Sequence, residues 1–274
     1  MKRTFFSTPY IVWMIIFIVV PMLFIFYSAF IQDGHFTTEF VNQALETPLY
    51  ISVLIRSIVV ALIATALCLL IGYPVAYILS NMKKSTAAIL SMFFILPMWM
   101  NFLLRTYAWQ VILADNGVLN MLLTTLGFAK GSFMYTQGAV LLVTVYNFLP
   151  FMILPIYTIL SKIDRSHIEA AHDLGANSAN TFFKVVLPLS VPGVVSGITM
   201  VFIPAITTFA ISRLIGGKKY PLYGDLIEDK IVASGNLGLG SVLSIILLVL
   251  VIISIVVMHK MEAEQGNEEG GTLW

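Results

Sequence analysis

Few residues in this 274-residue sequence have the chemistry of a catalytic or metal-binding site. His167, Glu169 and His172 form the arrangement closest to one. A zinc-binding helix of the familiar kind needs histidines at i and i+4 on one face. These two are five residues apart, about 140° around a helix, so they are read as surface residues. No G-x4-G-K-[S/T] loop and no G-x-S-x-G elbow occurs in the chain, so the usual signatures of nucleotide binding and of a serine nucleophile are missing. Cys68 lies in an apolar run and reads as a small packing residue. With four histidines, one cysteine and loop-bound carboxylates, an enzyme built into the membrane has little to work with.

The elements that must carry these residues are legible from where charge is missing. Hydrophobic residues make up 59% of the chain, charged ones 11%, and the mean hydropathy is +0.94. A soluble domain has about 25% charged residues, so this composition excludes an ordinary soluble enzyme. A net charge of +1 gives no polybasic surface for nucleic acid. Charge-free runs cover 4–32, 57–82, 85–104, 131–161, 185–212 and 231–258. Each can hold the roughly 20 residues that cross about 30 Å of hydrocarbon. In lipid the backbone must bond to itself, which favours helices, and the dense Leu, Ile, Val and Phe content lacks the strict alternation of a barrel.

The expectation is an all-α integral membrane protein in one domain, 1–258. Its six helices fall near 10–30, 57–79, 86–106, 138–160, 188–211 and 239–258. Lys2 and Arg3 precede an apolar run longer than a signal-peptide core, so the first helix is read as retained. Residues 116–129 are too short to span and read as an interfacial helix. The acidic tail, 259–274, reads as disordered. With the N-terminus inside, eight Lys and Arg fall inside and seven outside. Before residue 213 the split is seven to three, and N-terminal segments usually dominate, which puts both termini in the cytoplasm. The outer loop 213–230 runs against this rule.

Residues 162–184, KIDRSHIEAAHDLGANSANTFFK, form a polar stretch between two long spans. Ile163, Ile168, Ala171 and Leu174 recur at roughly helical spacing. Ser166 with Glu169 matches a capping box, and Gly175 suits the residue that ends a helix. Asn177 or Ser178 can cap a second short helix through Phe182 and Phe183. Small residues at Ala170 and Ala171 beside two phenylalanines suit docking into a cleft of a soluble partner.

Glu169-Ala170-Ala171, three residues, Gly175, nine residues, then Val185, Val186, Leu187 and Pro188 match the pattern EAA-x3-G-x9-I-x-LP, with Val185 the single departure. The chain therefore resembles the permease subunits of type I ABC importers, and the fold implied is that of their six-helix permeases. The resemblance implies that the loop couples to an ATPase through Glu169, Ala170, Ala171, Asp173, Gly175, Phe182, Phe183, Leu187 and Pro188. It also implies the assembly: a second homologous permease, two ATPase subunits that bind the ATP, and an extracytoplasmic binding protein, all at a bacterial inner membrane. This chain itself would hold no cofactor and no metal.

Further motifs narrow the resemblance. Gly72-Tyr73-Pro74-Val75-Ala76-Tyr77, the segment from Leu96-Pro97-Met98-Trp99 to Arg105-Thr106-Tyr107, and Leu214-Ile215-Gly216-Gly217 resemble the permeases of polyamine (spermidine/putrescine) importers. Related importers share some of these motifs, so iron(III), thiamine or an anion stays open as the solute. A self-contained secondary transporter would show internal repeats and ionisable residues inside its spans; neither is evident. A polycation would meet no carboxylate in a span. Aromatic faces can pass a cation for about 0.5–2 kcal/mol each, and Trp99, Tyr107, Tyr146 and Tyr157 lie near helix ends or polar kinks. Asn101, Asn147, Thr207 and Thr208 could add hydrogen bonds. Trp99 leads, because it follows Pro97 in a break that exposes carbonyls. The spacing of Gly193 and Gly197 fits a close helix contact within a permease pair.

Overall fold

A computed structural model describes the backbone of residues 9–32 and 34–271. Among them five helices are long and apolar enough to cross a membrane: α1 Pro9–Phe30, α3 Pro48–Ser80, α7 Gln137–Leu160, α9 Ser178–Thr207 and the Leu237–Met261 part of α11 Leu237–Gly271. Shorter helices join them: α2 Glu39–Glu46, α4 Lys84–Trp99, α5 Phe102–Leu113, α6 Val118–Thr125, α8 Arg165–Asp173 and α10 Tyr223–Glu228. A two-residue antiparallel ladder pairs β1 Ile31–Gln32 with β2 His35–Phe36 after α1.

The third span, expected near 86–106 with a break after Pro97, is a bent helix pair, Lys84–Trp99 with Phe102–Thr125, that is long and apolar enough to cross when taken together. Helix α4 ends at Trp99, and the chain turns by 93° into the α5–α6 arm. Pro97 cannot donate to the helix ladder, and Asn101 then caps the new helix, its Oδ1 accepting from the Leu103 N–H at 2.8 Å. Arg105, which the charge pattern places at an outer margin, is only 8% exposed, and its Nε has no hydrogen-bond partner among the described residues.

Other boundaries move for local reasons. Helix α3 begins nine residues before position 57, with Pro48 in its first turn. Its 33 residues extend about 50 Å, well beyond the hydrocarbon, and Arg56 lies on the overhang. Helix α9 stops at Thr207, not near 211, because Thr208 is extended (ψ 140°). The acidic segment expected to be irregular continues α11 as helix through Gly271; residues 272–274 lie outside the described residues. The 116–129 stretch, too short to span, forms the short helix α6.

The core is the mutual packing of α3, α7 and α9, while α11 packs against α1 and α9. Met152 sits fully buried where the three cross. Its side chain lies against Gly72 of α3 and Gly197 of α9, where a Cβ would come within 3.0 and 2.7 Å of it. Gly193 likewise lies against the Pro155 carbonyl and Ile156 of α7. The Gly193/Gly197 pair is therefore spent on a contact inside this chain, not between two permeases.

The 213–230 loop is folded. A wide helical turn at Ser212–Gly216 leads to α10, which buries Leu222 and Tyr223. The Tyr223 N–H donates to Ser57 Oγ of the α3 overhang at 2.8 Å.

Candidate functional site

The polar loop after α7 folds as two arms. Asp164, not Ser166, caps α8: its Oδ1 accepts from the Ser166 N–H at 3.0 Å. These hydrogen bonds hold the exposed Asp164 carboxyl below the usual carboxylate range, and they favour its charged form at the positive end of the helix. Glu169 is thus free of a capping role and points to solvent. Helix α8 closes as expected at Gly175, whose φ of +83° is the left-handed conformation that favours glycine. His172 Nδ1 lies 3.0 Å from the Ala176 carbonyl and braces this turn.

Asn177 caps the second arm, accepting from the Asn180 N–H at 2.8 Å. The second short helix expected through Phe182 and Phe183 is not separate from the span that follows. Ser178–Thr181 runs through a widened turn at Phe182–Val186 directly into the membrane part of α9. The loop and the span are one rod. Widened turns of this type recur at functional positions in helices.

The candidate docking residues divide into two groups. Ala170, Ala171 and Pro188, with His167, Leu174 and Lys184, line an open groove of about 390 Å³ between α8 and the start of α9. Glu169, Asp173 and Gly175 are exposed beside it, and Leu187 is half-buried. Phe183 is 64% exposed. Phe182 points the other way: its ring meets Tyr73 at 5.8 Å and Tyr77 at 5.3 Å, both edge-to-face. It anchors the arm to α3 and is not offered to a partner. Leu174, which recurs with Ile163, Ile168 and Ala171 at roughly helical spacing, is 89% exposed. It sits after the last helical residue, where the helical period no longer sets direction.

The solute-facing candidates do not gather into one enclosed site within this chain. Trp99, Tyr107 and Tyr146 are exposed by 80, 49 and 40%. Trp99 and Asn101 flank the α4–α5 break, and Tyr107 lies one turn further on α5. Tyr146 of α7 meets Trp109 of α5 edge-to-face at 5.2 Å, a partner the sequence reading missed. Thr207 is half-buried and bonds back to the Ile203 carbonyl, while Thr208 is buried in the α9 break. Asn147 is also buried: Nδ2 donates to the Val143 carbonyl at 2.9 Å, and Oδ1 accepts nothing among the described residues. Tyr157 lies at the loop end of α7 and is half-buried.

At the opposite end from the 162–184 loop, Arg213, Lys218, Asp225, Glu228 and Asp229 line a pocket of about 500 Å³. Arg213 pairs with Glu228, and Lys230 with Asp229 at 3.5 Å. Burial raises the Asp225 carboxyl above its ordinary range, although its Oδ2 accepts from the Leu222 N–H.

A bundle of apolar helices, one of them broken, with a two-armed helical loop at one end has the architecture of a membrane permease. The match to known families agrees. The chain belongs to the family of binding-protein-dependent transport system inner membrane components, which covers residues 69–262. The spermidine/putrescine transport system permease protein PotB of Haemophilus influenzae is 38% identical over 256 residues, 90% of each chain. PotB of Escherichia coli is 35% identical over 244 residues, 86% of this chain and 88% of its own. Among solved structures, a bacterial ABC transporter that imports the acidic polysaccharide alginate aligns with a TM-score of 0.78 at 17% identity, covering 96% of each chain. The MetNI methionine ABC transporter aligns at 0.58, also at 17% identity, over 78% of this chain and 95% of its own. Those likenesses establish the fold; solutes as different as an acidic polysaccharide and an amino acid show that the fold does not choose the cargo.

Proposed function

We propose that this protein is the permease subunit of an ATP-driven, binding-protein-dependent importer of polyamines. The observation that carries the solute assignment is the 38% identity to a spermidine/putrescine permease over 90% of both chains. In this reading the chain forms half of a path completed by a second, homologous permease. That role suits the exposed placement of Trp99, Tyr107 and Tyr146. Aromatic faces and amide or hydroxyl oxygens then guide the ammonium groups, each contact weak enough for release. A buried carboxylate in a span would instead hold a polycation tightly.

The two arms of the 162–184 loop sit on the cytoplasmic side, with both termini, and dock on an ATPase subunit through Glu169, Ala170, Ala171 and Phe183, joined by Leu174. ATP is bound and hydrolysed by that partner, and this chain supplies no catalytic group. An extracytoplasmic binding protein delivers the solute at the far end, near α10. Because the second arm is continuous with α9, a push on it travels along a rod into the core contact with α3 and α7, a two-state coupling of distant sites.

The test is ATP hydrolysis by the purified complex with its binding protein. Spermidine or putrescine should stimulate it, and Glu169→Arg should abolish the stimulation while the protein still reaches the membrane. Stimulation by another solute and none by polyamines rejects the reading.

A further inference from the structure

Between the end of α3 and the start of α8 the bundle encloses a cavity of about 260 Å³ at the coupling-loop end. Its polar wall is Tyr77 and Asn81 from α3 and the turn after it, Lys84 at the start of α4, Tyr157 and Ser161 at the end of α7, and Arg165 at the start of α8. We propose that this cavity binds a phosphate group, supplied in the membrane by the headgroup of an anionic phospholipid from the leaflet on the coupling-loop side.

The charge balance is one-sided. Two cations from segments about 80 residues apart in sequence face the cavity, and no carboxylate lines it. Neither Lys84 nor Arg165 has a carboxylate within ion-pair distance among the described residues. Asp164, next to Arg165 in sequence, is committed to the cap of α8. An ammonium and a guanidinium offer donors and no acceptor, and both favour phosphate oxygens. The Asn81 amide is committed to the Tyr77 carbonyl and the Ser161 hydroxyl to the Thr158 carbonyl. That leaves the Tyr77 and Tyr157 hydroxyls to donate into the cavity. The first turn of α4 adds N–H groups that no side chain caps, with the positive end of the helix dipole.

The position favours a lipid as the source. Helices α3 and α7 end here and α4 begins, so the cavity lies where the spans meet water. Leu79, Ala87, Leu160 and Val186 form its apolar wall. Ile78 and Ile89 beside it are 55 and 59% exposed, an apolar surface on which an acyl chain can lie. Basic pockets between helices at this depth suit anionic headgroups.

The test labels Lys84 with an amine-reactive reagent in the intact protein, reconstituted with its partner subunits in nanodiscs. Lys83 does not line the cavity and serves as the internal control. Phosphatidylglycerol should slow labelling of Lys84 relative to Lys83 about tenfold, roughly the factor for loss of one charge-assisted contact; phosphatidylcholine should not. Protection in phosphatidylcholine discs by inorganic phosphate supports the phosphate site and makes a soluble anion its source. Equal labelling under all three conditions overturns the proposal. As a second readout, native mass spectrometry of K84A/R165A should show about tenfold less retained phosphatidylglycerol than wild type. Unchanged retention in that variant also overturns it.

Discussion

The Tyr73 and Ser190 hydroxyls lie 2.7 Å apart in the buried core, joining α3 to α9 across 117 residues of sequence. The direction of this bond follows from proton counting. Ser190 Oγ also lies 2.9 Å from the Leu187 carbonyl, which can only accept. The single serine proton goes there, so Tyr73 donates into Ser190. The bond ties the rod that emerges from the 162–184 loop to α3, about two turns along α9 from the Phe182 ring packed on Tyr73.

That direction predicts an asymmetry. Tyr73→Phe removes a donor and leaves Ser190 bonded to Leu187, a loss of about 0.5–1.5 kcal/mol. Ser190→Ala strands the buried tyrosine hydroxyl and costs about 1–3 kcal/mol. Thermal unfolding of the detergent-solubilised protein should place Ser190→Ala below Tyr73→Phe. The reverse order would mean the donor assignment is wrong.

The two neighbouring phenylalanines should separate in their effects. Phe182→Ala removes a ring packed against Tyr73 and Tyr77 and should lower stability by about 2–4 kcal/mol. Phe183→Ala and Leu174→Ser act at residues 64 and 89% exposed. They should leave unfolding within about 0.5 kcal/mol of wild type while reducing ATP-driven uptake. Comparing melting temperature with uptake across the three variants checks this. Wild-type uptake in both Phe183→Ala and Leu174→Ser would remove the docking role of that surface.

Gly224 presses α10 onto the break in α9: a Cβ there would lie 3.0 Å from the Thr207 and Thr208 carbonyl oxygens, which are backbone and cannot swing away. Gly224→Ala should therefore cost about 1–3 kcal/mol. Gly138→Ala, with nothing within 4 Å, should be neutral or slightly stabilising in the first turn of α7. A Gly224→Ala protein with wild-type unfolding would show that α10 does not pack on the break.

Asp225 gives a pH dependence of defined sign. Its pKa is raised in the folded protein, chiefly by burial. The folded state then holds the proton more tightly than the unfolded one. This group's contribution becomes more stabilising as pH falls through the raised folded pKa, and the ionised form is penalised at neutral pH. Asp225→Asn keeps an oxygen for the Leu222 N–H and removes the charge. It should flatten the pH dependence of unfolding on the upper side of the ordinary carboxylate range. A slope identical to wild type would show that Asp225 does not titrate there.

Much of this architecture is legible from where charge is absent. The apolar runs locate α1, α7 and the start of α11 to within a few residues, because in lipid hydropathy and helix formation are the same constraint. The pattern misleads where backbone geometry intervenes. Pro97 and Asn101 break the third run, and charge content says nothing about a 93° turn. Arg105 reads as a water-facing boundary yet is buried. In the 162–184 loop, Gly175 and Asn177 announce their roles because a left-handed residue and a cap demand particular side chains. Phe182 and Phe183 carry no such mark. Their opposite directions depend on the widened turn at Phe182–Val186, which alters the helical period by which faces are counted. The acidic and basic residues of 213–230 look like a solvated loop until α10 brings Tyr223 against Ser57, a contact between positions 166 residues apart.

The measurement that bears most directly on the central claim is uptake of labelled spermidine by cells lacking their own polyamine importers and expressing this chain with its partner subunits. The account predicts energy-dependent accumulation that unlabelled putrescine competes with, that is lost in Glu169→Arg, and that falls in Trp99→Ala. No accumulation of either polyamine by a complex that reaches the membrane and hydrolyses ATP in response to a different solute would contradict it.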